Sequence, residues 1–301
     1  MVNFLLKLKI KLIQWLIGSI SLKKYYMGLG SKNNNKLYDQ IRPIEIAGSD
    51  EWADMLKKMK EEVIGRSCPE IFFLQNETIK RVFNPNQQFL AKKYLEKILN
   101  RNIDYYKDML FDDNFGGVER AYCFLNSTPI TIQHVHHILR IEEGFNIQIM
   151  KLNYILEYGA GYGNLAKIVL KNSYEGLYNI YDLDLPSEFQ KFYLERTLGS
   201  DKAKLINHYN ECTLGEIDIN KSGSLFIATW SLSESPIEIR KKIECILEGF
   251  EYIYITFQKS WHSIDNQIYF NELSRGLTGY KTEVVECDIF KENYYLFASR
   301  K

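Results

Sequence analysis

The pattern of hydrophobic positions changes its period near the middle of the chain. In the second half, short apolar runs alternate with segments whose apolar residues recur every three or four positions. The apolar runs predict strands at 153–158, 177–181, 203–207, 224–229 and 251–257. The intervening segments predict helices at 164–172, 187–197 and 236–248. Strands that alternate with helices predict a parallel sheet with helices on both faces.

Two further apolar segments, at 282–287 and 294–299, are separated by a short polar loop and predict a hairpin at the edge of the sheet. The first half has helical periods instead. These predict helices that begin near Asp50 and Asn86, a third over 103–111, and a fourth that starts at Thr128-Pro129 and runs to Glu142. We therefore expect a mainly helical region at 31–150, followed by an α/β domain at 151–301.

The turn after the first predicted strand carries the clearest chemical signal. It reads E-Y-G-A-G-Y-G from Glu157 to Gly163. Gly159, Gly161 and Gly163 lack the Cβ atoms that would hold the backbone away from a ligand. The helix that follows presents free N–H groups to that ligand. A dinucleotide fingerprint needs its third glycine three residues after the second, and Asn164 occupies that position. A nicotinamide oxidoreductase is therefore disfavoured and stays open as the alternative enzyme class.

The segment E-x-G-x-G-x-G resembles the first motif of S-adenosylmethionine-dependent methyltransferases. Asp182, at the end of the second predicted strand, is similar to the carboxylate that binds the ribose in that family. The resemblance implies a Rossmann-like fold, with a mostly parallel seven-stranded sheet and a reversed last strand, and S-adenosylmethionine as cofactor. It also implies cofactor contacts from the turns after the first four strands: Glu157, Gly159, Ala160, Gly161, Gly163, Asp182, Leu183, His208, Thr229 and Ser231.

Segments after the later strands resemble, more narrowly, the sugar O-methyltransferases of bacterial surface-carbohydrate clusters. These segments are 182–186, 229–236, 257–258 and 264–266. The resemblance covers about 130–301. It implies methyl transfer to a sugar hydroxyl of a surface polysaccharide or glycolipid, with Trp261 stacking on the sugar ring and Asn266 as a second substrate contact.

A sugar hydroxyl is a weak nucleophile, so its methylation needs a general base, for which His is the usual residue. His262 follows the fifth strand, on the side expected to face the acceptor, and is the first choice. Glu234, after the fourth strand, is the alternative. His134 and His137 share the apolar face of the helix before the sheet, so they are interpreted first as core residues and second as catalytic candidates. His136 is expected on the solvated side of that helix.

Composition narrows the range of partners. The formal net charge is +0, from 38 basic and 38 acidic residues, which argues against a nucleic-acid partner. The five cysteines include no C-x-x-C pair, so neither a disulfide framework nor a zinc site is predicted. Asp112-Asp113 alone offers too few ligands for a metal, and a solvated turn is expected there. We expect a cytoplasmic enzyme acting on a small molecule or glycan, with a homo-oligomer left open.

Residues 1–30 form a separate segment in this interpretation. Apolar residues from Leu5 to Ile20 share one side of a predicted helix, and Lys7 and Lys11 lie on the other. Such a basic helix either lies on a membrane surface through residues 1–24 or packs on the protein body or on a second subunit. The same helix would suit a third class of function, a non-catalytic module of a membrane-associated carbohydrate assembly complex.

Overall fold

The structure is a computed structural model that describes residues 36–46, 51–65, 73–83, 87–113, 115–219 and 222–301. The basic helix predicted within 1–30 lies outside the described residues, and so do Asp50 and Asn86, the predicted helix starts. Among the helices that the structure describes, none is long and apolar enough to cross a membrane.

A seven-stranded sheet organises the second half of the chain. Its strands are β1 (Tyr154–Tyr158), β2 (Leu177–Tyr181), β3 (Asn207–Tyr209), β4 (Ser224–Thr229), β5 (Tyr252–Gln258), β6 (Tyr280–Glu286) and β7 (Asn293–Arg300). The spatial order is β3-β2-β1-β4-β5-β7-β6. Strands β1 to β5 are mutually parallel, whereas β7 runs antiparallel to both β5 and β6. The predicted fold, a mostly parallel sheet with a reversed last strand, is confirmed.

Helices precede the sheet and connect its strands. They are α1 (Lys36–Ile41), α2 (Glu51–Ile64), α3 (Glu77–Phe83), α4 (Gln88–Leu99), α5 (Ile103–Tyr106), α6 (Pro129–Phe145), α7 (Asn164–Lys171), α8 (Asp184–Leu198), α9 (Ser200–Ala203), α10 (Ile237–Leu247) and α11 (Asn266–Gly276). The start of α6 is the one predicted, because the side chain of Thr128 accepts a hydrogen bond from the backbone N–H of Thr131.

The two faces of the sheet pack into two separate hydrophobic cores. Ile155 of β1 points into the core formed with α1 to α8, whereas Tyr154 and Leu156 point into the core formed with α10 and α11. Successive side chains of a strand alternate between faces. Every residue of β1 is therefore buried, which explains why this strand reads as a continuous apolar run rather than an alternating one.

Some predicted elements differ from the observed ones. The third strand was predicted at 203–207 and forms at 207–209, because Gly199 ends α8 with a φ of 84° and the short helix α9 takes up the following residues. The helix predicted over 103–111 ends at Tyr106. Helix α11 was not predicted, although Asp265 caps it by accepting a hydrogen bond from the backbone N–H of Ile268.

The solvated position predicted for His136 is also wrong. His136 is 2% exposed, and its ring centroid lies 4.7 Å from that of Tyr94 on α4. Helix α4 packs on the side of α6 that the sequence pattern assigned to solvent. The wrong prediction thus follows from a neighbouring helix that covers α6 on this side.

Asp112 forms a buried ion pair instead of a solvated turn. Its side chain is 2% exposed and contacts the ammonium group of Lys167 on α7, whose side chain is 1% exposed. The hydroxyl groups of Thr128 and Thr131 also donate to Asp112. The helical region that precedes the sheet is therefore attached to α7 by buried charge as well as by apolar packing.

Removing one partner of this ion pair should strongly destabilise the protein. Lys167→Met leaves the Asp112 carboxylate buried without its counter-charge, and we expect the free energy of unfolding to fall by about 3–5 kcal/mol. Urea denaturation followed by circular dichroism measures the change. Lys92→Met is the matched control, since Lys92 and Glu96 form a pair whose side chains are 67% and 59% exposed; a loss below about 1 kcal/mol is expected there. Equal losses in the two variants would contradict a stabilising role for the buried pair.

Candidate active site

The turn between β1 and α7 has a backbone shape that glycine permits at three positions. Gly159, Gly161 and Gly163 have φ angles of 70°, 59° and 93°, in the left-handed region that other residues rarely adopt. A Cβ atom on Gly159 would lie 2.3 Å from Cβ of Ser231, in the turn after β4. A Cβ on Gly161 would lie 3.5 Å from the Phe83 ring of α3. Gly159 thus allows the turns after β1 and β4 to meet, and Gly161 lies beneath α3.

Asp182 lies at the end of β2, beside this turn. One carboxylate oxygen accepts from the backbone N–H of Leu183 at 2.8 Å, and the other accepts from Nε2 of Gln190 at 2.6 Å. The same Nε2 donates to the carbonyl of Gly161 at 3.1 Å. Burial raises the pKa of Asp182 to about 7, although the bonds from Leu183, Gln190 and the Ala160 N–H oppose this rise. Gln190 therefore joins the predicted ribose-binding carboxylate to the glycine turn.

Glu157 lies on β1, two residues before the first glycine of the turn. It is 2% exposed, and its carboxyl group accepts a hydrogen bond from the Tyr178 hydroxyl at 2.7 Å. Burial raises the pKa of Glu157 to about 8, the bond from Tyr178 lowers it, and the charge of Asp182 raises it further. The predicted contact of Glu157 with the cofactor amine stays a prediction.

The predicted adenine side of the site contains Leu183 and His208. Leu183 is 51% exposed directly after Asp182. His208 lies on β3 opposite Ile180, and burial, with the charge of Lys191, lowers its pKa to about 4. His208 also lines a cavity of about 500 Å³ between the end of α1, α8 and β3. The lining of this cavity includes no residue of the glycine turn, so His208 faces a space outside the turn.

The turn after β4 contains Thr229, Ser231 and Glu234. The Ser231 hydroxyl donates to the carbonyl of Tyr158, which fixes this turn against the end of β1. Trp230 has a φ of 63° and donates its backbone N–H to the carbonyl of Thr256 on β5 at 3.0 Å. Glu234 ends the short 3-10 helix that begins at Ser231. Burial raises the pKa of Glu234 to about 7, which is the range expected of a general base.

Arg240 on α10 fixes the backbone on both sides of Glu234. Its guanidinium is buried and donates to the carbonyl oxygens of Ser233 and Ser235. It also donates to the side-chain oxygen of Asn266 at 2.8 Å. Asn266 has no exposed surface, and its predicted contact with substrate stays a prediction. The sequence does not predict the role of Arg240, because an arginine in a helix with many polar residues has the pattern of a surface residue.

The candidate histidines lie in different environments. His137 has no exposed surface, and its Nδ1 lies 2.8 Å from the hydroxyl of Tyr254 on β5. It is a residue of the core, and its predicted role as a catalytic candidate stays a prediction. His134, one turn earlier on α6, is partly exposed, and its Nδ1 lies 3.0 Å from Nδ2 of Asn164, the first residue of α7. Burial, together with the charge of Lys167, lowers the pKa of His134 to about 3.

His262 and Trp261 lie in a small hairpin after β5, in which 260–261 pairs with 264–265. The His262 side chain is 58% exposed, and its Nε2 lies 3.2 Å from a carboxylate oxygen of Glu51 on α2. Its ring centroid lies 4.7 Å from that of Trp261. The structure thus brings the glycine turn, Asp182 and the β4 turn together, whereas His262 contacts the helical region.

In the parts of the chain that the structure describes, no three His, Cys, Asp or Glu side chains form a cluster that could hold a metal ion. The oxygen atoms of Asp112 contact Lys167 and two threonine hydroxyls.

Several solved structures resemble this chain. The methyltransferase domain of bacterial CtHen1 is 12% identical, with 54% of this chain and 99% of that chain covered and a TM-score of 0.40. The glycopeptide N-methyltransferase MtfA complexed with sinefungin is 12% identical, with coverage of 55% and 85% and a TM-score of 0.41. The precorrin-6y C5,15-methyltransferase from Geobacter metallireducens is 10% identical, with coverage of 64% and 99% and a TM-score of 0.42. No protein-family model matches the chain, and no curated protein matches it.

The raised pKa of Glu234 gives a prediction for stability. Between the ordinary value of 4.5 and about 7 the folded protein holds a proton on Glu234 that the unfolded chain has released. The wild type should therefore lose stability as pH rises through this range, whereas Glu234→Gln has no such ionisation. We expect the melting temperature of the variant to rise relative to wild type between pH 4.5 and 7, and the difference to stay constant above. A difference independent of pH would mean that the pKa of Glu234 is ordinary.

Proposed function

We propose that this protein is an S-adenosylmethionine-dependent methyltransferase. The observation that carries the proposal is the joining of Asp182 to the glycine turn through Gln190, at the carboxyl ends of β1 and β2. The two strands beside the turn, β1 and β4, lie next to each other although two strands separate them in sequence. In open α/β sheets, ligands bind in the crevice at such a reversal of strand order.

The residues of this crevice suit the chemical groups of the cofactor. Asp182 offers carboxylate oxygens to two ribose hydroxyls, and the N-terminus of α7 favours a carboxylate. When bound, S-adenosylmethionine supplies a methyl group on a sulfonium, which is already a strong electrophile. The remaining tasks of the protein are to hold the two reactants in line and to remove a proton from the acceptor.

The acceptor that we propose is a sugar hydroxyl of a surface polysaccharide or glycolipid. Glu234 is the proposed general base, because its pKa of about 7 leaves it able to accept a proton near neutral pH. Arg240 holds the carbonyls on both sides of this residue, so the backbone of Glu234 is fixed. Trp261 is partly exposed and supplies an aromatic face for a sugar ring. His262 remains the competing base. Because its imidazole contacts Glu51 on α2, we favour Glu234 as the general base.

Cofactor binding should depend on Asp182. Asp182→Ala removes the oxygens that accept the ribose hydroxyls, and we expect binding of S-adenosylhomocysteine to weaken by roughly 2–4 kcal/mol. Isothermal titration calorimetry measures this loss. Asp184→Ala is the matched control, because Asp184 is exposed and binds the side chain of Asn210 instead. Unchanged affinity in Asp182→Ala would refute the cofactor assignment, and binding of NADH in place of S-adenosylhomocysteine would favour the oxidoreductase alternative.

Turnover should depend on Glu234 more than on His262. Mass spectrometry of surface carbohydrate from cells with and without this protein identifies the acceptor by the loss of one methyl increment. With that acceptor, we expect Glu234→Gln to lower turnover by about 10²–10⁴ and to abolish a rise in rate through pH 7. His262→Ala should retain turnover and its pH dependence. A normal rate in Glu234→Gln, with a loss in His262→Ala, would transfer the role of base to His262.

A further inference from the structure

A chain of hydrogen bonds runs from the buried ion pair of Asp112 and Lys167 to His134. We propose that this chain holds the His134 imidazole neutral with its proton on Nε2, and that this N–H binds the carboxylate of the methionyl part of the cofactor. The second part rests on the proposed function, and the first does not. His134 is then a binding residue that donates a hydrogen bond, and not the general base.

The chain begins at Asp112, which fixes the direction of the Thr131 hydroxyl. Burial raises the pKa of Asp112, but the charge and hydrogen bond of Lys167 outweigh this effect and hold the pKa below its usual value. Asp112 is therefore ionised and can only accept hydrogen bonds. Thr131 consequently donates its single hydroxyl proton to Asp112, and its oxygen is left to accept a bond from another donor.

Asn164 follows Thr131 in this chain of hydrogen bonds. Its Nδ2 lies 3.1 Å from the hydroxyl oxygen of Thr131, whose proton is donated to Asp112 and which therefore accepts from this amide. Its Oδ1 lies 3.3 Å from the hydroxyl of Tyr193. Burial raises the pKa of Tyr193 well above its usual value, so this hydroxyl keeps its proton and donates it. The amide can thus adopt one orientation, in which the second N–H of Nδ2 points to Nδ1 of His134 at 3.0 Å.

His134 is the last residue of the chain, and its bond with Asn164 fixes the position of its proton. Because Nδ1 accepts from Asn164, it carries a lone pair, and the proton of the neutral ring is on Nε2. Burial keeps this ring neutral by lowering its pKa to about 3. No partner for Nε2 is found among the described residues. His134 retains exposed surface, although the residues on either side of it, Gln133 and Val135, are buried.

The location of His134 indicates what Nε2 binds. Asn164 begins α7 directly after Gly163, and one turn further along α6 the His137 ring lies 5.3 Å from that of Trp230 in the β4 turn. His134 therefore lies beside the N-terminus of α7, on a helix whose next turn contacts the β4 turn. An N–H donor beside the N-terminus of a helix favours an anion. The carboxylate is the one anionic group of S-adenosylmethionine.

Nitrogen NMR of the protein without ligand tests the first part. The His134 signals, identified by their loss in His134→Gln, should be those of a neutral ring protonated on Nε2, and should not titrate between pH 5 and 8. Asn164→Asp places an acceptor opposite Nδ1 and should move the proton to Nδ1. A wild-type ring protonated on Nδ1, or one that titrates near its ordinary pKa of 6.5, would overturn the proposal whatever the protein binds.

Calorimetry with two ligands tests the second part. S-adenosylmethionine and its decarboxylated form differ only in the carboxylate. His134→Ala should weaken binding of the first by roughly 10- to 100-fold and leave binding of the second unchanged, and His134→Gln, which retains an N–H donor, should recover part of the loss. His136→Ala, a buried histidine of the same helix, should not discriminate between the ligands. An equal loss for both ligands in His134→Ala overturns the inference while the proposed function stands. A wild type that binds neither ligand refutes the proposed function and the carboxylate contact together, and the NMR result still decides the position of the proton.

Discussion

The contact between the turns after β1 and β4 is the constraint on which the site depends. There is no space for a side chain at Gly159, because a Cβ atom there would overlap Ser231. The Ser231 hydroxyl donates to the carbonyl of Tyr158, so the contact is specific as well as close. Both turns adopt left-handed backbone conformations, at Gly159 and at Trp230. This contact therefore fixes the base of the crevice, between Asp182 at the end of β2 and Glu234 after β4.

The helical region before the sheet is part of the site. Phe83 of α3 lies above Gly161, and Thr131 and His134 of α6 contact the first residue of α7. Asp112 attaches the same region to Lys167. The α/β half of the chain supplies the glycine turn and the carboxylates. The helices before it supply Phe83, which covers the turn, and the polar side chains of α6. Among the described residues, those around the crevice come from both halves of the chain.

The parts predicted from sequence are those set by local chemistry. The ends of β2 and β4 agree with the structure to the residue, because an apolar run buried on both faces has clear boundaries. The glycine turn was equally predictable from the sequence, because its three glycines follow an apolar run. The burial of His136, Asn266 and Asp112 could not be predicted from the sequence. Each depends on a partner distant in sequence: Tyr94, Arg240 and Lys167. A polar residue under another helix has the same sequence signature as one in solvent.

The raised pKa values of the crevice have a consequence for ligand binding. Glu157 and Asp182 have pKa values of about 8 and 7, mainly through burial, so near neutral pH each holds a proton for part of the time. A cationic ligand stabilises the ionised forms and so expels these protons. Binding is then an exchange of protons for ligand. The affinity becomes a function of pH, and the heat released on binding depends on the buffer that takes up the protons.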